Sequence, residues 1–555
     1  MRVTNSMINR SSMTNMNNNK LLVDALNNQM TTQKKINRPS EDPVVAIRAL
    51  RLRSNLYEVS QFSEKNIPDA KSWLSLTETA LESIESAVSS VKALCEKAAN
   101  DTFNQDDRKV ILQNLQGLRT QVYQEVNADY AGRTVFAGYK TNSTVSFISE
   151  KEAAGTAYKI TEPVSYEAIE EKRYYANQVT VPTTKTDVDP GVDIKNEMPQ
   201  EVINQRIRLA YDGLDVDEKV SLVELATGKE VRFAKAGEKI YNATGTEIIA
   251  SGGETVYDKD GKQLYLEKGD IRIDSSGNEI PITPAPTTKT YEDWKADGFA
   301  VADDEILFIP ETGELILGKD VSNDLKGNKA FFGVRYQKDG FKQGELRPEQ
   351  YFDCEKIKDP NDSTVSATNS VVYTKENQEF AYMVAFNQTM AINTQASDVF
   401  NTAIGRDIDE LSDAVEAAIA AHDKVDKIKE MMGQTIYKDA DSQKALSEWL
   451  EAAQKETDYM DDNMQKLFER NMGTFEGYDT RLSRAISDVG NKVDRLEMTE
   501  TRVQNQKMTF EELQSDNEDR EMSDIILDYT SAYTAYQASL MASSRANKQT
   551  LLDYL

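Results

Sequence analysis

The sequence predicts a mainly α-helical protein with a β-rich insertion, in which the N- and C-terminal helices pair into a long coiled-coil-like rod. Two observations predict this fold class. Apolar residues recur at alternating steps of four and three near both ends of the chain, a spacing that lays one seam of a helix against a partner helix. Prolines and glycines concentrate between those ends, which favours loops and strands there.

The helical seams are regular at each end. The N-terminal seam comprises Ala70, Leu74, Thr77, Leu81, Ile84, Val88, Val91, Cys95 and Ala98. The C-terminal seam comprises Leu482, Ile486, Val489, Val493, Leu496, Val503 and Phe510, followed by Met522, Ile525, Tyr529, Tyr533, Tyr536 and Leu540. Because the seams lie at opposite ends of 555 residues, we expect the termini to return to each other as one rod. That arrangement favours an assembly subunit over an enzyme.

Helix boundaries follow from the capping residues. Asp42 before Pro43 predicts an N-cap and a first-turn proline, opening a helix through Leu50. Further helices are predicted at about 69–100, from Asp106, at 407–432, at 443–467 and at about 478–526. The helices at 407–432 and 443–467 are predicted to form an antiparallel pair.

The middle third is punctuated differently. Ten of the 13 prolines lie between Pro163 and Pro360, and 18 of the 26 glycines lie between Gly155 and Gly344. Short apolar runs follow glycines 228, 245, 261 and 277 at spacings of 17, 16 and 16 residues. This pattern predicts stacked hairpins in a repeat over 228–282. Unrelated hairpins with similar turns are the alternative.

Composition excludes several classes of function. The formal charge is −28, from 93 acidic and 65 basic residues, which disfavours nucleic acid as a partner. One histidine and two cysteines cannot supply a HExxH protease or a histidine-based zinc centre. We interpret His422 as a solvated residue on a helix face and Cys95 as a small core residue. No catalytic, metal-binding or cofactor-binding residue is predicted, and no cofactor.

Targeting signals of the usual kinds are not visible. The N-terminus has no apolar stretch followed by a small-residue cleavage site, which predicts that no cleavable secretory signal is present. No run approaches 18 apolar residues, so no membrane insertion is expected.

The two terminal segments are the part of the chain with functional content. The first 30 residues mix asparagines with spaced methionines and leucines, so an isolated helix there would be marginal. We expect both ends to be loosely ordered in the free monomer and to become ordered on assembly. The predicted assembly interface comprises Met7, Leu21, Leu22, Leu26, Ile525, Ile526, Tyr529, Tyr533, Tyr536, Leu540, Leu551, Leu552 and Leu555.

Three segments resemble the bacterial flagellin-type axial proteins. Residues 34–46 read KKINRPSEDPVVA, and residues 489–497 and 517–522 read VGNKVDRLE and NEDREM. The prolines at 39 and 43 and the ending LLDYL are similar to the hook-associated branch of that family. The motif residues are Asn37, Arg38, Pro39, Ser40, Asp42, Pro43, Gly490, Arg495, Leu496, Asn517, Glu518, Asp519 and Met522.

The resemblance implies an axial layer, a rod layer and an outward variable domain. The corresponding segments are 1–45 and 520–555 for the axial helices, 46–140 and 376–519 for the rod, and 141–375 for the variable β domain. The pair at 407–467 is additional material within the rod. The implied role is a junction adaptor between the first hook-associated protein and flagellin. Its implied partners are those two proteins, identical copies in a ring, and an export chaperone.

The resemblance also implies export through the flagellar type III apparatus to an extracellular position at the hook–filament junction. Flagellin itself, with a large variable domain, is the alternative within the family. A surface coiled-coil adhesin is the alternative outside it and predicts a signal peptide or an anchor. An axial protein with an inserted protease predicts HExxH.

Overall fold

A computed structural model describes most of the chain. The described residues are 5–100, 104–188, 198–216, 220–223, 286–327, 329–376 and 379–548, together with short strands between 230 and 280. Within them eleven α-helices form. These are α1 Asn5–Thr32, α2 Pro43–Gln61, α3 Ile67–Asn100, α4 Gln105–Glu125, α5 Glu150–Gly155, α6 Tyr291–Ala296, α7 Lys319–Gly327, α8 Ala396–Val399, α9 Ala403–Gly433, α10 Ala440–Glu518 and α11 Met522–Lys548.

The strands lie almost entirely in the middle of the chain, as predicted. They are β1 Asp129–Tyr130, β2 Arg133–Thr134, β3 Ala157–Ser165, β4 Ile169–Ala176, β5 Gln200–Arg208, β6 Ser221–Val223, β7 Glu230–Phe233, β8 Ile240–Tyr241, β9 Glu247–Ile248, β10 Val256–Tyr257, β11 Gln263–Tyr265, β12 Arg272–Ile273, β13 Glu279–Ile280, β14 Thr287–Thr288, β15 Ile306–Ile309, β16 Glu314–Leu317, β17 Phe331–Asp339, β18 Asp353–Lys358, β19 Val371–Tyr373, β20 Ala381–Ala385 and β21 Gln388–Ala391. The predicted fold class, mainly α with a β-rich middle, is confirmed.

The chain divides into two compact units. The first contains Met1–Ser72, Ala381–Ile392 and Asn491–Leu555, and the second contains Trp73–Phe380 and Asn393–Gly490. Each unit therefore takes material from both halves of the sequence.

In the first unit the end of α10 runs antiparallel to α2 and the start of α3. Three ion pairs connect the antiparallel helical segments along their length. They are Arg53 with Glu518, Glu64 with Lys507 at 2.7 Å, and Lys71 with Glu497 at 2.7 Å. The hairpin of β20 and β21 lies beside them, where Asn66 donates to the Met383 carbonyl at 2.8 Å.

In the second unit α3 and α10 pair along the predicted seams. Leu74, Leu81, Val88 and Cys95 lie seven residues apart on α3 and are fully buried. A repeat of seven residues holds such a seam toward a partner over many turns. Contacts across the pair keep the same step, because Glu85 meets Ser483 and Lys92 meets Glu476.

The seam on α10 within the second unit is equally strict. Its fully buried residues Phe468, Phe475, Leu482 and Val489 are also seven apart. This continuity corrects the predicted helical pair at 407–467. The first helix is present as α9, but the second does not end near Leu467 and continues to Glu518. Gly473 and Gly477 each weaken a helix by only about 1 kcal/mol, and tertiary packing of the seam outweighs that cost.

The β-rich part of the second unit holds two larger sheets among the described residues. One has the order β19-β18-β3-β17-β6-β7-β11-β10-β8-β9, and the other β14-β15-β16-β5-β4. Tyr174, Trp294 and Phe299 form an edge-to-face and stacked aromatic cluster behind the second sheet, with ring centroids 4.7 to 5.3 Å apart.

Buried ion pairs connect that second sheet to α9. Arg206 on β5, fully buried, pairs with Glu314 on β16 and with Glu410 on α9 at 2.7 Å. Lys172 and Arg206 hold the pKa of the Glu314 carboxyl at about 2, against the opposing effect of burial. The charges within this cluster are compensated, which a buried ion pair requires.

The repeat region keeps the predicted spacing in its strands. Strands β7, β9, β11 and β13 begin at 230, 247, 263 and 279, at steps of 17, 16 and 16 residues. The glycines predicted to form the turns of the repeat lie outside the described residues.

Two other predictions need correction. The helix predicted from about Asp69 to Asn100 is present as α3 but begins two residues earlier, at Ile67, directly after α2 and a π-helical turn, Phe62–Asn66. His422 is not simply solvated: its Nε2 lies 2.9 Å from Asp461 Oδ2, and Arg108 binds the other oxygen of that carboxylate at 2.9 Å.

Candidate assembly surface at the paired terminal helices

Helices α1 and α11 pack against each other through narrow stripes. The buried or half-buried residues on α1 follow steps of four and three, and so do those on α11. They are Ser12, Met16, Asn19, Val23, Leu26 and Met30 on α1, and Ile525, Tyr529, Ala532, Tyr536, Ser539 and Ser543 on α11; Gln29, next to Met30, is half-buried as well. These stripes mix apolar side chains such as Leu26 and Ile525 with small or polar ones such as Ser12 and Ser539, and only Leu26, Ile525 and Ala532 among them are buried.

A second apolar row stays outside this pair. Ile526, Tyr533 and Leu540 lie seven residues apart on α11, one position beyond the inward stripe, and are 49%, 43% and 40% exposed. On α1 the exposed apolar residues are Met7, Met13, Leu21 and Leu22. Large exposed apolar side chains in a row mark an interaction surface.

The predicted interface residues therefore fall into two sets. Leu26 and Ile525 are buried between the two helices, and Tyr529 and Tyr536 are half-buried there. Met7, Leu21, Leu22, Ile526, Tyr533 and Leu540 are exposed. Leu551, Leu552 and Leu555 lie outside the described residues.

The loop after α1 and the break before α11 meet in a short clasp, residues 33–42 with 517–521. Lys34 and Asp519 form an antiparallel bridge. The Lys35 N–H donates to the Glu518 carbonyl at 2.7 Å, and the Arg520 N–H donates to the Gln33 carbonyl at 3.0 Å. Gln33 has a φ of 55°, a left-handed conformation that ends α1.

This clasp corrects the prediction of one helix from 478 to 526. Residues 519–521 leave the helix because their backbone groups pair with the loop after α1, 485 positions away in sequence. The residue pattern near Asp519 does not predict that this segment pairs with the loop after α1.

Charge reinforces the clasp. The Glu518 side chain is only 4% exposed, and it pairs with Arg53 and, at 3.6 Å, with Lys34. The hydrogen bond from Arg53 lowers the pKa of the Glu518 carboxyl, and the Lys34 ammonium lowers that of Asp519. Both acids are therefore held ionised in the folded chain.

The motif residues come together in this region more than elsewhere. Asp42 caps α2 by accepting from the Val44 and Val45 N–H groups at 2.9 and 3.1 Å, and Pro43 opens the helix. Asn517 donates to the Val45 carbonyl at 3.2 Å. The Asn37 N–H donates to Glu41 at 2.8 Å.

Other motif residues have different positions. Arg38, Pro39 and Ser40 are exposed on the loop, and Met522 begins α11. Leu496 is fully buried in the α10 seam, while Arg495 beside it is exposed. Gly490 lies within α10, away from the clasp in sequence.

Sequence reasoning missed an exposed apolar row on α2. Val44, Ile47, Leu50 and Tyr57 are 54% to 76% exposed, on the face opposite the buried Ala46, Ala49 and Leu52. Their spacing of three, three and seven was the available signal. This signal was hidden because α2 carries apolar residues on both faces. The spacing of apolar residues does not show which of the two faces is buried within the monomer.

Within the described part of the chain, no group of three or more potential metal ligands is found. The described helices include none long and apolar enough to cross a membrane.

Both ends of the chain match models of a known protein family. Residues 3–141 match the bacterial flagellin N-terminal helical region, and residues 472–555 match the bacterial flagellin C-terminal helical region. Both ends of this chain therefore resemble flagellin helical regions. The predicted resemblance is confirmed, and the clasp joins one such region to the other.

Two relatives of known identity are similar to this chain. Flagellar hook-associated protein 3 of Salmonella typhimurium is 32% identical over 144 residues, 26% of this chain and 45% of the relative. Flagellar hook-associated protein 3 of Escherichia coli is 36% identical over 124 residues, 22% of this chain and 38% of the relative. The chain thus spans less than half the length of these relatives.

Solved structures are similar as well. Flagellar hook associated protein-3 from Legionella pneumophila gives a TM-score of 0.28 at 10% identity, covering 84% of this chain and 97% of that one.

Proposed function

We propose that this protein is a structural assembly subunit of the bacterial flagellum, the junction adaptor between the first hook-associated protein and the flagellin filament. The observation that carries the proposal is the joining of two flagellin-type regions, similar to hook-associated protein 3, into one helical pair with apolar rows left outside it. The protein acts by packing, and no chemical step is required.

The exposed rows supply the binding energy in this proposal. Burying one Leu, Ile or Met side chain contributes about 1.5–3 kcal/mol, and α1 and α11 expose several of them. Among the described residues of the pair only Leu26, Ile525 and Ala532 are buried, so we infer that the pair is marginal alone. Packing against neighbouring subunits would cover the second row on each helix and stabilise the pair.

The proposed partners are flagellin on one side, the first hook-associated protein on the other, and identical copies within a ring. A cytoplasmic chaperone is proposed to hold the terminal helices before type III export without a cleaved signal. The similarity to hook-associated protein 3 supports these partners, and the exposed row of α11 is the surface a chaperone would need to cover.

Immunogold labelling of intact flagella tests the proposed location. We expect label only at the boundary between hook and filament. Label along the whole filament would instead support flagellin, and label on the cell body alone would contradict both functions.

Truncation tests the proposed mechanism. Removing the residues after Asp524 deletes nearly all of α11. The secondary structure of residues 1–524 should stay close to what it is in the full chain, but the truncated protein should not be incorporated into flagella. The matched control is Ile436→Ala, which removes an exposed apolar side chain of the second unit and should incorporate normally. Normal filament growth with the truncated chain would contradict the proposal.

A further inference from the structure

A cavity of about 480 Å³ lies in the second unit between β4, α9 and α10. Its volume is within the range of about 300–1,000 Å³ that ligand sites in proteins have. Strand β4 is the last strand of its sheet and pairs with β5. The five consecutive residues 171–175 of β4 line the cavity. Because the side chains of a strand alternate between its two faces, a cavity that touches five in a row runs along the edge of the strand.

The edge of β4 presents backbone groups to this cavity. In an antiparallel pair, alternate residues direct both their N–H and their C=O away from the partner strand. Glu171 is such a residue, because its C=O accepts from the Arg470 guanidinium of α10 at 3.0 Å. Arg173 and Tyr175 follow at steps of two, and no described residue hydrogen-bonds to their outward N–H and C=O groups. The cavity therefore borders two open donor–acceptor pairs of an edge strand.

The side chains around the cavity add apolar surface and one more open polar group. Ile203 on β5 lies opposite Arg173 and is 54% exposed, and Met460 and Leu467 of α10 line the helical side. Tyr175 is 8% exposed, and its hydroxyl has no hydrogen-bond partner among the described residues. An occupant that combines an apolar side chain with backbone donors and acceptors would satisfy these groups.

The charge left uncompensated around the cavity is negative. Each of the four cations that line it has an acidic partner. These ion pairs are Lys172 with Glu314, Arg173 with Glu201 and Asp462, Lys466 with Asp462, and Arg470 with Glu170 and Glu410. The lining carboxylates Glu171 and Asp413 form no ion pair within the described chain. Glu416 lies one turn beyond Asp413 on α9 and adds charge of the same sign, so a cation beside Asp413 is favoured.

We propose that this cavity binds a short, extended, basic peptide segment, which pairs with β4 as an added strand. The segment exchanges hydrogen bonds with Arg173 and Tyr175, as an open sheet edge does with a partner strand. A lysine or arginine of the segment lies beside Asp413, and an apolar side chain covers Ile203. Arg470 already occupies the edge at Glu171, which keeps the added strand short. This proposal does not depend on the proposed function.

Fluorescence anisotropy with the full-length chain tests the proposal. The probes are three labelled peptides: the basic TKVKT, the acidic TEVET, and TKVKT methylated on the backbone nitrogens of its three central residues. The methylated peptide keeps the charge but cannot donate from those residues to a strand. We expect TKVKT to bind at least about 10-fold more tightly than either of the others, because each comparison removes charged or paired strand hydrogen bonds.

A pair of variants locates the binding. Asp413→Lys should weaken binding of TKVKT by about 10-fold, because it places a like charge beside the peptide cation. The matched control is Asp426→Lys, which changes another exposed aspartate of α9 and should leave binding unchanged. Circular dichroism should show that both variants keep the helix content of the unmodified chain.

Hydrogen exchange of the unmodified chain gives a readout that needs no variant. Bound TKVKT should slow exchange over residues 169–176 of β4, where the added strand pairs, and leave residues 157–165 of β3 unchanged.

Four results would overturn the proposal: no binding of TKVKT, equal binding of TEVET or of the methylated peptide, full affinity in Asp413→Lys, or unchanged exchange over residues 169–176. Slower exchange there that grows with protein concentration in the absence of peptide would also overturn it, because a second copy of the chain would then fill the cavity.

Discussion

Two helical seams with the same spacing behave differently in this molecule. On α3, Ile67 and the nine following seam positions to Ala98 are all at most 2% exposed. On α11 the inward stripe keeps only Ile525 and Ala532 below one tenth exposed, and an apolar row beside it remains open. The spacing of apolar residues thus places a seam on a helix, while the size and number of those residues decide whether one chain can close it.

The contrast separates a helix whose apolar residues are covered within the chain, α3, from a helix pair that leaves apolar residues exposed, α1 and α11. The α3 seam uses leucine, isoleucine and valine and is covered within the chain. The pair of α1 and α11 mixes serine, asparagine, alanine and tyrosine with leucine, isoleucine, valine and methionine inside, and leaves further leucine, isoleucine and methionine side chains outside. Large apolar side chains that stay exposed in a row are typical of an interaction surface.

The largest effect is expected in the covered seam. Leu81→Ala removes a fully buried side chain and leaves a cavity, so the free energy of unfolding should fall by about 2–5 kcal/mol. Denaturant unfolding of the monomer measures it.

The matched control is Leu21→Ala, a change of the same size at a side chain that is 67% exposed. It should change the unfolding free energy by less than about 0.5 kcal/mol. Similar losses for both variants would remove the contrast between the two seams.

An intermediate effect is expected at the clasp. Glu518→Ala leaves Arg53 and Lys34 without a shared carboxylate, and charged hydrogen bonds of this kind contribute about 1.5–3 kcal/mol. Because both cations are partly exposed to solvent, we expect the free energy of unfolding to fall by about 1 kcal/mol. Hydrogen exchange should accelerate in α11 and leave α9 unchanged.

Glu512→Ala is the control for that variant, because Glu512 is an exposed acid on the same helix. Its exchange rates should match those of the unmodified chain. Uniform acceleration in both units after Glu518→Ala would show that the clasp does not act locally.

Lowering the pH should weaken the clasp by protonating its carboxylates. The pKa values of Glu518 and Asp519 are lowered in the folded chain. Their stabilising contribution is therefore complete above the ordinary carboxyl range and is lost as the pH falls through the lowered pKa values. Exchange of α11 should accelerate between pH 5 and pH 3, values that bracket the ordinary pKa of about 4.

Glu518→Gln should flatten that pH dependence, because it removes one of the two carboxyls whose pKa is lowered and keeps the side-chain shape. If exchange of α11 in this variant still accelerates by the same factor between pH 5 and pH 3, a group other than Glu518 causes the acceleration.

The smallest effect on the free monomer is expected from the open row. Tyr533→Ala removes a side chain that is 43% exposed and should alter the unfolding free energy by less than about 0.5 kcal/mol. Ile525→Ala, at the neighbouring buried stripe, should cost clearly more. Equal losses would mean that Tyr533 is already covered in the monomer.

These comparisons also show what sequence reasoning could reach. The seams, the cap at Asp42 and the β-rich middle follow from local patterns of residue type, and all were predictable. The break at 519–521, the exposed row of α2 and the π-helical turn were not. Each depends on a partner far away in sequence, such as the loop after Gln33 or the hairpin at 381–391, and a periodic pattern does not identify its partner.

The most direct test of the central claim removes the open row and leaves the closed one intact. A chain with Ile526→Ser, Tyr533→Ser and Leu540→Ser should match the unmodified monomer in helix content and unfolding free energy, and should fail to incorporate into flagella of cells that lack their own copy. A chain that incorporates normally would contradict the claim that this row is an assembly surface.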